Sequence, residues 1–418
     1  MVATTDFVGT RVFSNLSGNL AKIDTRDSTV ISTACPAPLA DNARYPVGEL
    51  ARISTSNPED VTKLGAGILQ DAVNQIASEG IDCDIAFVRT QHSVKTDPTE
   101  KFEEELNAIV GSAGAKTGVW RLLNAESDLK IEPGLIMLPG YDSQRVSGAA
   151  NPAVVAASSV AEKIIDCMVV ANTPVTSRED AAAYAEDHKT RLNVIAMYPQ
   201  AIVNLGAGNI TRPLSPHVVA AIVRRDKETG GPYKASWNRA LRGILGTSLP
   251  VQYTNGEITS DANYLVQRGV GTVIEGNLLW NPFTTATDPT TIGWRSVKRI
   301  RTRKAIDKAL LKPFREYLSE DLGPASVSLI FRSADQHFMD LVTMGALIDY
   351  RLFWSKSMNP ATLLEAGALR AKLTFAETPD LVDLQLYTEP QPEAYDLLGE
   401  NIGAALGQLG LPNISVIA

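Results

Sequence analysis

The chain has 418 residues, 44% of them hydrophobic and 21% charged, the proportions of a folded protein, and its length fits two domains better than one. A formal net charge of −8 argues against general nucleic-acid binding, which needs an excess of Lys and Arg on at least one face. MVATTDFVGTRVF at the start has neither a basic n-region nor an apolar h-region, and no apolar run is long enough to span a membrane. Synthesis in the cytosol without direct membrane insertion is therefore expected.

Residues 1–26 hold few apolar positions and no helical period, but Val8, Val12 and Phe13 lie in a stretch suited to an extended arm. Such a segment cannot bury a face alone and is expected to add as a strand to a sheet edge. From Ser28 short apolar runs alternate with amphipathic ones. STVISTA, ELARIST, DIAFVRT, GLIMLPG, CMVVAN and NVIAMYP read as strands. VTKLGAGILQDAVNQIA, FEEELNAIVG, GVWRLLNAES, AVVAASSVAEKIID, REDAAAYAEDH and HVVAAIVRR read as helices, the last behind Ser215 and Pro216 as cap and first-turn residues. This alternation predicts βαβ units, hence a mostly parallel sheet covered by helices.

Between about Gly230 and Pro289 the alternation fails, with DANYLVQRG as helix and GTVIEG as strand. A second, α+β region follows from Trp294, with a basic helical segment, a helix around DQHFMDLVTMGAL and strands in ALRAKLTFAE and LVDLQLYTE. The predicted organisation is an arm over 1–26, an α/β domain over 27–280, an α+β domain over 281–390 and an extension or arm over 391–418. In that last part EAYDLLGENIGAAL is helical, and Ile414, Val416 and Ile417 carry the apolar end.

Signals for chemistry are weak. LGAGIL and RGVGTVIEG each carry a GxG without the rest of a phosphate loop, so the glycines read as turn or packing residues. GTSLP holds Ser248 in a string similar to that of subtilisin-type proteases, but strand-like VQYT follows where a helix should open. His188 and His217, on or beside helices among charges, read as solvated. Glu103, Glu104 and Glu105 read as a helix opening, where negative charge offsets the macrodipole. Cys35, Cys83 and Cys167 are widely spaced, without a CxxC pair or clustered histidines. They read as reduced, mostly buried thiols, the alternative being a bridge between subunits. No catalytic residue, metal or cofactor is expected.

The strongest charge signal is WRSVKRIRTRKAIDKALLKPFR, nine basic residues from Arg295 to Arg315 against the single acid Asp307. Val297, Ile300, Ile306 and Leu310 form an apolar stripe that leaves Arg295, Arg299, Arg303 and others outward. An acidic protein surface is the expected partner, nucleic acid the less favoured one.

The order of segments resembles the sheath proteins of contractile phage tails, found also in tailocins and related contractile injection systems. STVISTACPAPLADNARYPVGELARISTSNPEDVTKLG resembles the opening of the sheath's outer domain. TGVWRLLNAESDLKIEPGLIMLPG, RGILGTSLPVQYTNGEITSDANYLVQRGVGTVI and MGALIDYRLFWSKSMNPATLLEAGALRAKLTFAETPDLVDLQLY follow in the family's order, across roughly residues 25–390. The resemblance implies an outer subtilisin-like α/β domain, an inner α+β domain facing the tube, and terminal arms that link neighbours. It implies six subunits per ring, stacked around a tail tube, with baseplate and tail terminator proteins as further partners. It places the protein in the virion tail, assembled in the host cytoplasm, and makes it a contractile structural subunit rather than an enzyme. Arg295, Lys298, Arg299, Arg303 and Lys304 are then the expected tube-facing residues. The rival readings are an α/β hydrolase- or transferase-like enzyme using Ser248 or a glycine turn, and a nucleic-acid binder through residues 295–315.

Overall fold

The structure, a computed structural model, describes residues 29–206, 208–318 and 321–409. In chain order the strands are β1 (Ile31–Pro36), β2 (Leu50–Ser54), β3 (Asp84–Thr90), β4 (Leu135–Met137), β5 (Met168–Asn172), β6 (Val194–Met197), β7 (Ala201–Asn204), β8 (Asn209–Arg212), β9 (Arg239–Ala240), β10 (Gly246–Thr247), β11 (Val270–Ile274), β12 (Leu278–Trp280), β13 (Leu347–Phe353) and β14 (Lys372–Glu377). The helices are α1 (Pro58–Thr62), α2 (Ile68–Ser78), α3 (Pro98–Val110), α4 (Ala125–Leu129), α5 (Pro152–Ile164), α6 (Arg178–Glu186), α7 (Ser215–Thr229), α8 (Asp261–Gln267), α9 (Val297–Phe314), α10 (Pro324–Thr343), α11 (Ala361–Glu365) and α12 (Glu393–Gln408).

A nine-stranded sheet runs in the order β2-β3-β1-β4-β5-β6-β11-β12-β9. From β3 to β11 the neighbours are parallel, and antiparallel strands close the two sides. Parallel strands need crossovers, and the amphipathic helices read from the sequence supply them on both faces. One face packs Leu69, Val73 and Ile76 of α2 with the wholly buried run of α7. The other packs α3, α5, Tyr184 of α6 and Leu265 of α8. Strands β1, β4, β5, β6 and β11 are buried along their whole length, as a doubly covered sheet requires.

Polar side chains inside this layer are used for fixing ends. Asn172, the last residue of β5, accepts from the backbone N–H groups of Leu214 and Ser215 at 2.9 Å each, and so caps α7 from across the sheet. The cap expected from Ser215 is corrected accordingly: Ser215 is already the first helical residue, and Leu214 stands at the N-cap. Gly271 in β11 and Gly243 are packing glycines, since a Cβ on Gly271 would lie 2.5 Å from Asn281 Cβ, and one on Gly243 would lie 2.7 Å from His217 Cε1.

Beyond the large sheet, Ile306 of α9, Phe338 and Leu341 of α10, Leu347 of β13 and Tyr233 form a separate, smaller apolar core. Helix α9 spans both cores, because its Val297 and Ile300 belong to the larger one. The chain divides into a unit that reaches Asp380 and a second beginning at Leu381. Residue 280 thus lies inside the first unit, where α9 serves two cores at once. In the second unit residues 381–389 form no strand, contrary to the strand expected for LVDLQLYTE, and α12 follows them. A period-2 pattern needs a neighbouring edge to become a strand.

Candidate assembly interface

The basic helix finds most of its acids within the chain. Lys298 Nζ donates to Thr378 O at 2.7 Å and lies 3.4 Å from Asp380, with its side chain only 6% exposed. Burial lowers its pKa, and Asp380 opposes that shift. Arg303 pairs with Glu377, donates to Phe375 O at 3.2 Å and stacks on the Phe375 and Trp294 rings. Arg299 lies 3.6 Å from the same Glu377 and also covers Trp294. Arg301 reaches Asp226 through two bonds, of 3.0 and 2.5 Å, and Lys308 joins Asp166 and, at 2.8 Å, Glu132.

These contacts correct the outward reading of this helix. Lys298 points inward, and Arg299 and Arg303 are held against the end of β14. Arg295 lies over the Phe283 ring at 3.9 Å. Lys304 is half-buried, and burial lowers its pKa. What the sequence shows as a run of one sign is, in three dimensions, two sets of bridges. One ties α9 to the large sheet's layer, and the other to the strand that ends the first unit.

The surface left unsatisfied lies elsewhere. β13 and β14 pair only with each other, from Leu347↔Glu377 to Phe353↔Lys372, so both outer edges of this two-stranded sheet lack a partner among the described residues. An apolar groove of about 600 Å³ lies over the same sheet between α9 and α10. In the second unit Leu384, Leu386 and Tyr387 are 67, 79 and 88% exposed. Apolar area of this extent marks an interaction surface. The arm residues Val8, Val12, Phe13, Ile414, Val416 and Ile417 lie outside the described residues.

The other candidates resolve into structure. Ser248 donates its backbone N–H to Gln200 O at 2.9 Å, its Oγ is buried without a hydrogen bond, and no helix opens behind it before Asp261. Gly67 is the N-cap of α2, whose end has no side-chain cap. Glu103 to Glu105 correct their expectation too: α3 begins at Pro98, so they sit mid-helix. Buried Glu105 accepts from Tyr141 Oη at 2.7 Å and Ser93 N at 3.2 Å, beside His92 Nδ1 at 2.8 Å.

His188 and His217 are both fully buried rather than solvated. His188 packs on Tyr184, and burial lowers its pKa to about 4. His217 Nδ1 lies 2.9 Å from Glu79, which also accepts from Arg224 at 2.6 Å and from the backbone of Arg242 and Gly243. Burial alone would raise the Glu79 carboxyl, but His217 and the two backbone donors bring it below its ordinary value. Cys35, Cys83 and Cys167 are free and buried, and burial raises all three thiols. No group of three or more metal-ligating side chains occurs among the described residues.

No protein-family model matches the chain. Its fold matches the sheath complex of an extracellular contractile injection system, PVC, in the contracted state, with a TM-score of 0.66 at 14% identity, over 94% of this chain and 99% of that one. The fold is therefore that of contractile sheath subunits. In sequence the chain is related to tail sheath proteins. It is 25% identical over 410 residues to the major tail sheath protein of Serratia phage KSP20, covering 96% of this chain and 99% of the relative. It is 26% identical over 307 residues to a putative prophage major tail sheath protein of Pseudomonas aeruginosa (strain UCBPP-PA14), covering 71% and 76%.

Proposed function

We propose that this chain is the structural subunit of a contractile tail sheath in the virion, stacking as rings of six around a tail tube and contracting to drive the tube through the host envelope. The observation that carries this is the end-to-end likeness, in sequence to phage tail sheath proteins and in fold to a contracted sheath. The helix-covered sheet is the outer, subtilisin-like domain, and the α9, α10 and β13–β14 layer is the inner one, facing the tube.

The physics of the surface supports a polymer. Two strand edges without a partner among the described residues, and a segment over 381–387 whose sequence alternates apolar and polar residues, are complementary parts of one sheet when they come from different copies. Contacts between different patches that do not close a ring generate open helices. Contraction on this reading is relaxation from a trapped lattice into a better-packed one, driven by contact free energy alone. The tube, the baseplate and the terminator are the partners it would meet in that role.

Negative-stain electron microscopy of the purified full chain, beside a version lacking residues 1–20, tests the reading. Hollow striated tubes from the full chain, lost in the truncation, are expected. Uniform small particles in both samples, persisting at high concentration and in the presence of a tube template, would overturn it.

A further inference from the structure

Helix α12 and its C-cap residue Leu409 carry Tyr395, Leu398, Ile402, Leu406 and Leu409, 38 to 72% exposed, with Leu397 exposed on the opposite side. Their spacing of three and four residues places them along one stripe, about 21 Å long at 1.5 Å per residue. An amphipathic helix with its apolar stripe in water gains nothing from having that stripe, so a covering surface is implied. The whole stretch 381–409 holds the acids Asp383, Glu389, Glu393, Asp396 and Glu400 and no Lys, Arg or His.

The groove between α9 and α10 has the complementary character. Leu310, Leu311, Phe314 and Phe331 form its walls, Leu352 and Leu373 its floor, and Arg315 and Asp307 are its charged side chains. Leu311 is more than half exposed. The floor residues are a cross-strand pair of β13 and β14, so the groove lies on the face of the sheet whose outer edges have no partner among the described residues.

Chain length joins these two features. If residues 381–387 add to a β13–β14 edge, only Thr388–Pro392 separate that strand from α12, a span of at most about 17 Å. Strands lie about 4.8 Å apart, so a helix entering on this short tether lands on one face of the same small sheet. We infer that α12 of one subunit docks, stripe inward, in the groove between α9 and α10 of a second copy, a helix-in-groove contact beside the strand addition. This rests on the sheath reading above, and it adds a side-chain lock to backbone pairing. Arg315 of the groove attracts and Asp307 repels a helix whose charges are all negative, so the apolar stripe and the short tether carry the docking.

The test uses three full-length variants, Leu311→Cys, Ile402→Cys and the chain carrying both; the native thiols are buried and stay silent. The two single variants are mixed, assembled and mildly oxidised, then run on a non-reducing gel with microscopy of the same sample. A covalent dimer containing one chain of each variant, absent when either is oxidised alone, is the expected result. The doubly substituted chain migrating as a bridged monomer, without the mixed dimer, would place α12 on its own groove and overturn the inference. Tubes visible by microscopy without the mixed dimer would overturn it too, while leaving the sheath reading intact. If no tubes form, the sheath reading fails separately, and absence of the mixed dimer in the concentrated soluble protein refutes the docking on its own.

Discussion

The large sheet and the small one follow opposite designs. Strands β4, β5 and β6 are wholly buried, flanked on each side by another strand and covered above and below by helices. Strands β13 and β14 alternate between exposed and half-buried residues apart from buried Leu347 and Glu377, have no partner on their outer edges among the described residues, and carry an open apolar groove. The difference teaches where to look for assembly. One layer completes itself within the subunit, so substitutions in it should act on folding. The other is left incomplete by the described residues, so on the assembly reading substitutions there should act between subunits.

The largest effect on the folded subunit is expected at Glu79. Its carboxylate serves His217, Arg224 and two backbone N–H groups in full burial. Glu79→Ala leaves a buried cation and backbone donors without their acceptor, a loss of about 3–5 kcal/mol. Urea unfolding of the soluble subunit measures it. A change under about 1 kcal/mol would show that the layer tolerates an open polar site and would weaken the contrast between the two regions.

Much of the self-contained layer was legible in the sequence, and the reason is periodicity. A strand buried on both faces reads as a continuous apolar run, as MVVAN does, and its flanking helices must show a stripe. The polar interior was not legible. His188 and His217 stand among charged neighbours in sequence, but pairing such as Glu79 with His217 connects residues far apart in the chain. The basic run of α9 misled for the same reason, since Asp166, Asp226, Glu377 and Asp380 come from three distant segments. For residues 381–389 the alternating pattern suggests a strand that the structure does not form, because alternation alone supplies no paired neighbour. Local sequence encodes a strand's alternation, not the neighbour it needs.

A second prediction sharpens the picture of the buried layer through pH. His188 is held at about 4 by burial, below its ordinary 6.5, so its contribution is present above pH 6.5 and is lost as pH falls through 4. Asp142 is raised by burial from 3.8 to about 7, so its contribution is present below 3.8 and is lost as pH rises through 7. Tyr184 touches both, packing on His188 and donating to Asp142 O at 2.5 Å. Between pH 4 and 6.5 the two slopes oppose, amounting over their full ranges to about 3 kcal/mol for His188 and about 4 kcal/mol for Asp142. Their combined contribution should therefore be nearly flat there. His188→Phe should make it fall with rising pH, and Asp142→Asn should make it rise. Parallel denaturation series at pH 4.5, 5.5 and 6.5 check this, and equal slopes in all three proteins would refute the assignment.

The smallest effect on the subunit's own stability is expected where the effect on assembly is greatest. Leu384 and Leu386 sit two residues apart, so in an extended segment they share a face, and both are largely exposed. Replacing both with Lys removes no buried contact of the subunit, and its unfolding midpoint should shift by no more than about 0.5 kcal/mol equivalent. Placed against a neighbouring sheet, the same two side chains would bring two charges into a packed apolar layer, and tube formation should fail. Leu384→Val with Leu386→Val keeps the apolar face and favours the extended backbone, so tubes should persist. A destabilised subunit in the Lys variant would mean that the segment packs on its own chain, and unimpaired tubes would mean that the bare edges pair with something else. Either result would erase the distinction between a layer closed within the chain and a layer closed by its neighbours.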